Sequence, residues 1–289
     1  MRPTLVRTRL DLDAVLAAYR AGGSRVALVP TMGALHGGHD ALLRRARGEA
    51  PVVVVSVFVN PTQFGPGEDL DRYPRSLEAD LARCAREGVD VVFAPDVGTV
   101  YPEGPGGGVT VDPGALGTVL EGATRPTHFR GVLTVLAKLF GLVRPHVTVL
   151  GDKDYQQLVL VRRMAVDLAT SIRVVGEPIV REPDGLALSS RNAYLDDRQR
   201  VAARALSRAL SAGAVVAAAG ATADDVAFAA HAVLAALAGV DVDYVAVTDP
   251  DLGPPPPHGP ARLLVAASLG GTRLIDNAAL VLGARQGTG

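Results

Sequence analysis

Two hydrophobic patterns alternate along the first 180 residues of the chain. Short runs of β-branched residues, typical of buried strands, are followed by segments in which apolar residues recur every three or four positions, typical of amphipathic helices. This alternation predicts an α/β fold with a doubly wound, Rossmann-like parallel sheet. The predicted strands are 26–29, 52–59, 89–94, 147–150 and 172–175, and the predicted helices are 11–21, a segment ending near residue 47, 76–87, 129–142 and one that opens at 151–154.

The composition shifts after about residue 180 and predicts a second, smaller α+β domain. Residues 197–238 are rich in alanine, and two strand-like segments follow, separated by four consecutive prolines that predict a rigid surface loop. We therefore place a catalytic domain at 1–179 and the second domain at 180–289, with a disordered tail at 287–289. The predicted helices of this domain are 198–212 and 223–237, and its predicted strands are 242–247 and 263–267.

The composition of the chain excludes several classes of protein and of binding partner. The 289 residues are 48% hydrophobic, enough for a sizeable core, and the net charge of −1 disfavours nucleic acid as a partner. The apolar runs predict neither a signal peptide nor a membrane-spanning segment, so we expect a cytoplasmic protein without a membrane partner. The single cysteine, Cys84, excludes an intramolecular disulfide and a cysteine-rich metal site, and we expect it to be a buried thiol on a helix face.

The most informative segment is a glycine loop with two histidines. Residues 30–39 follow the strand-like run 26–29 and lead directly into a helical pattern, so backbone N–H groups and a helix N-terminus can face an anion. His36 and His39 add imidazole donors, which suits a polyphosphate. The loop has neither a Walker-type nor a Gly-x-Gly-x-x-Gly sequence, and the histidine spacing is not that of a His-Glu-x-x-His metal motif. The alternative is that both histidines are simply polar residues of a turn.

Two further loops should meet this one, because the carboxyl ends of parallel strands lie at the same edge of a sheet. The loop at 60–64 carries Gln63, and the loop at 151–154 carries Lys153, one of only two lysines. Lys153 can contact phosphate oxygens, although a solvated helix start is the alternative. Gln63 and Gln157 are neutral groups that suit the hydroxyls and carboxylate of a hydroxy acid. From the second domain, the hydroxyl pair and arginine at 189–191 can add phosphate donors.

Five segments, taken together and in order, resemble those of the pantothenate synthetase (pantoate–β-alanine ligase) family, which belongs to the nucleotidyltransferase superfamily with a His-x-Gly-His motif. The C-terminal third is less similar, chiefly at 273–277. Leu188 stands where many relatives carry methionine, and Asp152 where many carry glutamate or glutamine. The five segments are 30–39, 58–64, 128–132, 151–157 and 188–192.

The resemblance implies a set of site residues. His39 would be the proton donor. From the residues themselves we also expect His36 and Lys153 to be catalytic, and we expect no metal ligand. Gln63 and Gln157 would bind pantoate, with Gln63 also facing β-alanine. The implied ATP contacts are Met32, Gly33, Ala34, Leu35, His36, Gly37, Gly38, His39, Gly151, Asp152, Lys153, Asp154, Val180, Leu188, Ser189, Ser190 and Arg191.

The resemblance also implies a two-step reaction. ATP, with Mg²⁺ bound by its phosphates, and pantoate would give pantoyl adenylate and pyrophosphate, and β-alanine would then give pantothenate and AMP. The second domain would act as a lid, and the protein would be a homodimer. Two alternatives remain at this point: an adenylyltransferase that acts on a phosphate acceptor, and a non-catalytic nucleotide-binding regulator.

Overall fold

Six parallel strands form the sheet on which the first part of the chain is built. A computed structural model describes residues 2–283. The strand order is β1-β4-β3-β2-β5-β6, and every neighbouring pair is parallel, which confirms the predicted α/β fold. The strand β1 has only three residues, too few for its pattern to be recognised in the sequence. The strands are β1 (Thr4–Val6), β2 (Val26–Thr31), β3 (Val52–Val57), β4 (Val91–Phe93), β5 (Val147–Gly151) and β6 (Arg173–Glu177).

Helices connect these strands, and two of the predicted helices, the first and the one after β5, begin two or more residues from their predicted starts. The first begins two residues early because the Thr8 hydroxyl caps it, accepting the N–H of Asp11. The seventh begins only at Tyr155, after a 3₁₀ turn at Asp152–Asp154. The helices are α1 (Arg9–Ala21), α2 (Gly37–Glu49), α3 (Leu77–Arg86), α4 (Val97–Val100), α5 (Glu121–Thr124), α6 (His128–Val143) and α7 (Tyr155–Asp167), with further 3₁₀ turns at Pro61–Gln63 and Ala115–Thr118.

The strand order places a topological switch between β2 and β5. From β2 the chain adds β3 and then β4 on one side, and later returns to add β5 and β6 on the other side of β2. Open α/β sheets bind ligands outside the carboxyl ends of the strands at such a switch. The loops that follow β2, β3 and β5 therefore leave the sheet at one edge, as the sequence predicted.

Cys84 lies in the core between this sheet and its helices. The thiol is fully buried in a cluster that includes Leu43, Ala46 and Val92. Burial raises the pKa of Cys84 to about 12, so the group stays a neutral thiol at physiological pH. The prediction of a buried thiol on a helix face is confirmed.

A three-stranded antiparallel sheet with two long helices forms a second unit, as predicted for the α+β domain. The strand β9 was not predicted, because adjacent polar residues, Asp276 and Asn277, interrupt its apolar alternation although both are buried. The predicted tail at 287–289 lies outside the described residues. The elements are a 3₁₀ helix (Ser190–Tyr194), α8 (Asp197–Ala218), α9 (Ala223–Ala235), β7 (Val240–Thr248), β8 (Gly259–Leu269) and β9 (Thr272–Leu282), in the sheet order β7-β8-β9.

The helix α8 extends six residues beyond its predicted end. By length and composition alone it is apolar enough to cross a membrane. In the structure, however, Leu206, Ala209 and Leu210 on this helix are buried in the core of the second unit, where α8 contacts α9, β8 and β9. We therefore interpret α8 as a core helix.

By contacts, the chain divides into a unit that ends at Pro178 and a second unit that begins at Ile179, but the three residues Lys153–Tyr155 cluster with the second unit. Within that unit, the Asn277 side chain donates to the carbonyl of Lys153 at 3.0 Å, and the Tyr155 hydroxyl donates to the carbonyl of Pro250 at 2.8 Å. The Arg262 guanidinium stacks 3.7 Å from the centroid of the Tyr155 ring. The lid function of the second unit stays a prediction.

A close approach of α6 to the Pro61–Gln63 turn predicts opposite effects of two glycine substitutions in α6. A Cβ at Gly131 would collide with the carbonyl of Thr62 and lie 2.6 Å from the nitrogen of Gln63, whereas a Cβ at Gly141 meets no heavy atom within 4 Å. We expect Gly131→Ala to lower the free energy of unfolding by about 1–3 kcal/mol. Gly141→Ala should raise it by roughly 0.5–1 kcal/mol through helix propensity. Urea unfolding of both variants measures these changes. Equal changes in the free energy of unfolding would contradict the close approach of α6 to the Pro61–Gln63 turn.

Candidate active site

A buried carboxylate holds the loop that follows β2. Gly33 and Ala34 adopt left-handed backbone angles, with φ of 85° and 52°. The Asp80 carboxylate of α3 accepts the N–H of Ala34 at 3.1 Å and the N–H of Leu35 at 2.8 Å. A Cβ at Gly33 would lie 2.9 Å from Oδ2 of Asp80, so both the angle and the close approach require glycine. The loop geometry thus depends on one acidic side chain from a different element.

Asp80 was not predicted as a site residue. It is only 3% exposed, and burial raises its pKa although the two N–H bonds and Arg83 favour the charged form. The sequence does carry a signal for it, because Asp80 is a charged residue on the same helix face as Leu77, Leu81 and Cys84. A charged residue on a buried helix face lowers the stability of the fold unless it is hydrogen-bonded. Its position on that face therefore indicates a buried hydrogen-bond partner and could have identified Asp80 as a candidate.

His36 and His39 form a reciprocal cap at the N-terminus of α2. Nδ1 of His36 accepts the N–H of Gly38 at 3.1 Å, and Nδ1 of His39 accepts the N–H of His36, also at 3.1 Å. A ring nitrogen that accepts from a backbone N–H carries no hydrogen, so each neutral ring has its hydrogen on Nε2. The ring centroids are 4.2 Å apart. The two rings therefore cap the helix through Nδ1, and each carries its hydrogen on Nε2.

The arrangement suits an anion better than a metal. The N-terminus of α2 carries a partial positive charge, and two Nε2–H groups accompany it. Asp40, next to His39, pairs with Arg83 at 2.5 Å. Within residues 2–283, no group of three or more His, Cys, Asp or Glu side chains is arranged to hold a metal ion.

Gln63 joins the loop after β3 to the loop after β2. Its Nε2 donates to Sδ of Met32 at 2.9 Å, and its Oε1 accepts from Nδ2 of Asn60 at 3.1 Å. Asn60, which caps the Pro61–Gln63 turn, is only 1% exposed and accepts the hydroxyl of Tyr101 at 2.8 Å. The structure thus brings two of the predicted loops together, and it adds Asn60 as a buried support for Gln63.

The two glutamines at the start of α7 differ in surroundings. Gln156 is buried, accepts the N–H of Glu121 at 3.0 Å and donates to the carbonyls of Leu116 and Val119 at 2.7 and 2.8 Å. Gln157 is partly exposed, and its side chain makes no hydrogen bond to the residues that the structure describes. The amide of Gln156 is therefore structural, which leaves Gln157 as the candidate ligand group.

The loop after β5 begins in the first unit and ends in the second. Gly151 pairs with Glu177 across β5 and β6, and Asp152 packs against Gly176 of β6. Lys153 and Asp154 cluster with the second unit. Nζ of Lys153 lies 3.9 Å from Oδ1 of Asp154, too far for a hydrogen bond.

The remaining predicted residues share one short segment of the second unit. Leu188 donates its N–H to the carbonyl of Val180 at 3.0 Å, so the chain turns back on itself through Gly185, whose φ is 91°. The Ser189 hydroxyl then caps the 3₁₀ helix that contains Ser190 and Arg191, accepting the N–H of Arg191 at 3.3 Å. Val180 and 188–191 are therefore neighbours, as a shared role requires.

Known proteins of one family are similar to this chain over almost its whole length. Residues 4–279 match the model of the family described as pantoate-beta-alanine ligase. A pantothenate synthetase of Nocardioides sp. is 61% identical over 98% of this chain and 87% of its own length. A pantothenate synthetase of Nocardia farcinica is 58% identical over 94% of this chain and 85% of its own length.

Solved structures agree with this result. Pantothenate synthetase from Thermus thermophilus has a TM-score of 0.88 and 48% identity, covering 95% of this chain and 98% of that one. A pantoate-beta-alanine ligase from Francisella tularensis, solved with beta-gamma ATP and beta-alanine, has a TM-score of 0.79 and 30% identity, covering 96% of this chain and 97% of that one. The chain therefore belongs to the pantoate-beta-alanine ligase family.

Proposed function

We propose that this chain is an ATP-dependent ligase that condenses pantoate with β-alanine to pantothenate and releases AMP and pyrophosphate. The observation that carries the proposal is the contact of two loops at the switch point of the sheet. One loop offers two Nε2–H imidazoles at a helix N-terminus, and the other offers the neutral amide of Gln63. A donor-rich site for phosphates thus lies beside a polar group that suits a hydroxy acid.

In the first step, a carboxylate oxygen of pantoate attacks the α-phosphorus of ATP. A bond forms between that oxygen and phosphorus, the bond from phosphorus to the β-bridging oxygen breaks, and pyrophosphate leaves. His36 and His39 donate hydrogen bonds as negative charge moves to the leaving group, with His39 as the proposed proton donor. Lys153 acts as a compact cation on the phosphates. Mg²⁺ enters on the phosphates of ATP and is part of the substrate.

In the second step, the amine of β-alanine attacks the acyl carbon of pantoyl adenylate. A carbon–nitrogen bond forms, the bond between the acyl carbon and the phosphate oxygen breaks, AMP leaves with the bonding electrons, and the nitrogen loses a proton to solvent. Gln63 and Gln157 hold the pantoyl part, and Gln63 also faces the amine. Exclusion of water protects the reactive adenylate, which is the role proposed for the second unit as a lid.

The residues proposed to contact ATP in the first unit are Met32–His39, Gly151 and Asp152, and those in the second unit are Lys153, Asp154, Val180 and 188–191. The assignment for the second unit is supported by the family pattern and by the local pairing of Val180 with Leu188. A homodimeric state and a cytoplasmic location also belong to this proposal. An adenylyltransferase for phosphate acceptors and a non-catalytic regulator are not favoured, because the family is one of ligases.

The proposed order of steps predicts a partial reaction. Without β-alanine, the protein should exchange labelled pyrophosphate into ATP only when pantoate is present, because the adenylate forms reversibly before the amine is needed. Measurement of label in ATP with and without pantoate checks this. Exchange that strictly requires β-alanine would contradict an adenylate intermediate, and exchange without pantoate would indicate a different acceptor.

The reciprocal cap predicts that helix capping by Nδ1 of each histidine can be separated from hydrogen-bond donation to ATP by Nε2. Asparagine is among the best N-cap residues, so His36→Asn keeps an acceptor for the N–H of Gly38 but lacks the Nε2 donor. His39→Asn is the matching change, because its amide oxygen lies near the position of Nδ1 and can accept the N–H of His36, as the carboxylate of Asp225 accepts the N–H of Thr222 at the start of α9. Each variant should unfold near the wild-type temperature yet lose about 10²–10³ in the rate of adenylate formation. Normal rates in single-turnover experiments would show that the histidines are only caps.

Asp80 should influence the reaction through the loop it holds. In Asp80→Asn only one amide oxygen remains to accept two N–H groups, and we expect pyrophosphate exchange to be about 5- to 150-fold slower, since an unpaired buried group costs about 1–3 kcal/mol. The matched control is Glu78→Gln, an exposed change on the same helix.

The raised pKa of Asp80 adds a test by pH. Between its unfolded pKa of about 3.9 and its higher folded pKa, the folded protein binds more protons than the unfolded chain. The contribution of Asp80 to stability therefore falls as the pH rises through this window, and Asp80→Asn should remove that component. Urea unfolding of both proteins across the window measures it. Parallel pH curves would contradict a raised pKa of Asp80 in the folded protein.

A further inference from the structure

His128 lies at the start of α6 and contacts the main chain of Gln63. Its Nδ1 lies 3.0 Å from the carbonyl oxygen of Gln63, and its Nε2 lies 3.1 Å from NH1 of Arg125. A carbonyl can only accept, so Nδ1 must carry the hydrogen. A guanidinium can only donate, so Nε2 must offer its lone pair. Both contacts are satisfied by one state alone, the neutral ring with its hydrogen on Nδ1.

The charges around His128 favour the same state. The Arg125 guanidinium is paired with Glu68, with Nε–Oε1 at 2.9 Å and NH2–Oε2 at 2.5 Å, and NH2 also reaches the carbonyl of Gln63 at 3.3 Å. Burial, and then Arg125, lower the pKa of His128 to about 4, outweighing its bond to Gln63 and the carboxylates of Glu121 and Glu68. At neutral pH the imidazole of His128 is therefore uncharged, and it is hydrogen-bonded both to the carbonyl of Gln63 and to the Arg125 guanidinium, which is paired with Glu68.

Gln63 is consequently held at both ends. The side-chain end is oriented by Asn60, which donates to Oε1 at 3.1 Å and also donates to the carbonyl of Gly131 at 3.1 Å. The main-chain end is held by His128 and Arg125. Since His128 and Gly131 lie one turn apart on α6, this helix fixes the turn that carries Gln63 at two points.

We propose that His128 is a positioning residue: as a neutral imidazole it fixes the main chain of Gln63, and thereby the amide that binds the acid substrate. This inference rests on the proposed function for the identity of that substrate. It does not make His128 a catalytic residue, because both ring nitrogens are engaged by protein groups. The role differs from that of His36 and His39, whose hydrogens lie on Nε2.

A pair of near-isosteric variants separates the two ring nitrogens. The amide of His128→Asn lies near the position of Nδ1 and can still donate to the Gln63 carbonyl. The amide of His128→Gln lies near Nε2 and keeps only the contact with Arg125. We expect the KM for pantoate to rise about 3- to 10-fold in His128→Gln, as for one lost hydrogen bond, and clearly less in His128→Asn. The KM for ATP should stay unchanged in both, and Gln63→Ala gives the upper limit of the effect on pantoate.

The wild-type protein offers a second measurement, which reports the protonation state of the ring directly and uses His128→Asn only to assign its signal. Two-bond ¹⁵N–¹H spectra of labelled histidines should show one ring, absent in His128→Asn, that has its hydrogen on Nδ1 and stays neutral from pH 5.5 to 8. If the ring assigned to His128 instead has its hydrogen on Nε2, or titrates in this range, the proposal is overturned. Equal KM values for pantoate in the two variants would also overturn it.

Failure of the proposed function is distinguishable from failure of this inference. If pantoate is not the substrate, the wild-type protein shows no pantoate-dependent pyrophosphate exchange, whatever the state of His128. If pantoate exchange is normal but the ring is charged or has the other tautomer, only the positioning role of His128 is wrong.

Discussion

The geometry of the candidate site depends on one buried interaction, the Asp80 carboxylate bound to the N–H groups of Ala34 and Leu35. Left-handed backbone angles at a non-glycine residue such as Ala34 cost energy and persist only where the surroundings impose them. Asp80 imposes them here, and the turn brings His36 to the N-cap position immediately before α2, where its ring caps the helix. Without this carboxylate, the N–H groups of Ala34 and Leu35 would lose their hydrogen-bond partner within the protein.

The same principle recurs around the other candidate ligand groups, because main-chain contacts fix the segments that carry them. The carbonyl of Gln63 is bound by His128 and Arg125, and the carbonyl of Lys153 by Asn277. Such contacts fix the positions of Gln63 and Lys153 through their main chains. Positioning of this kind matters most in reactions that depend on alignment and charge stabilisation, as nucleotidyl transfer does.

Two tautomers of histidine occur around the candidate site. His36 and His39 carry the hydrogen on Nε2, and His128 carries it on Nδ1. A backbone N–H opposite Nδ1 forces the hydrogen of His36 and His39 onto Nε2, and a carbonyl opposite Nδ1 forces the reverse in His128. The first arrangement presents donors at a helix N-terminus, and the second locks a ring between protein groups. The partner of Nδ1, which is a backbone group in all three cases, decides which role results.

The sequence by itself determined the α/β class, most strands, the second α+β unit and the loops at 30–39 and 60–64, because hydrophobic period and glycine position are local properties that each segment carries alone. It could not reveal that Asp80 holds the histidine loop, 45 residues away along the chain. It could not distinguish the structural amide of Gln156 from that of Gln157, or give His128 a role within its motif. It also missed β9, whose polar Asp276 is tolerated in the interior because Arg181 pairs with it at 2.6 and 2.9 Å. These features were decided by the tertiary structure, since the worth of a buried polar group depends on a partner that only folding brings within hydrogen-bond distance.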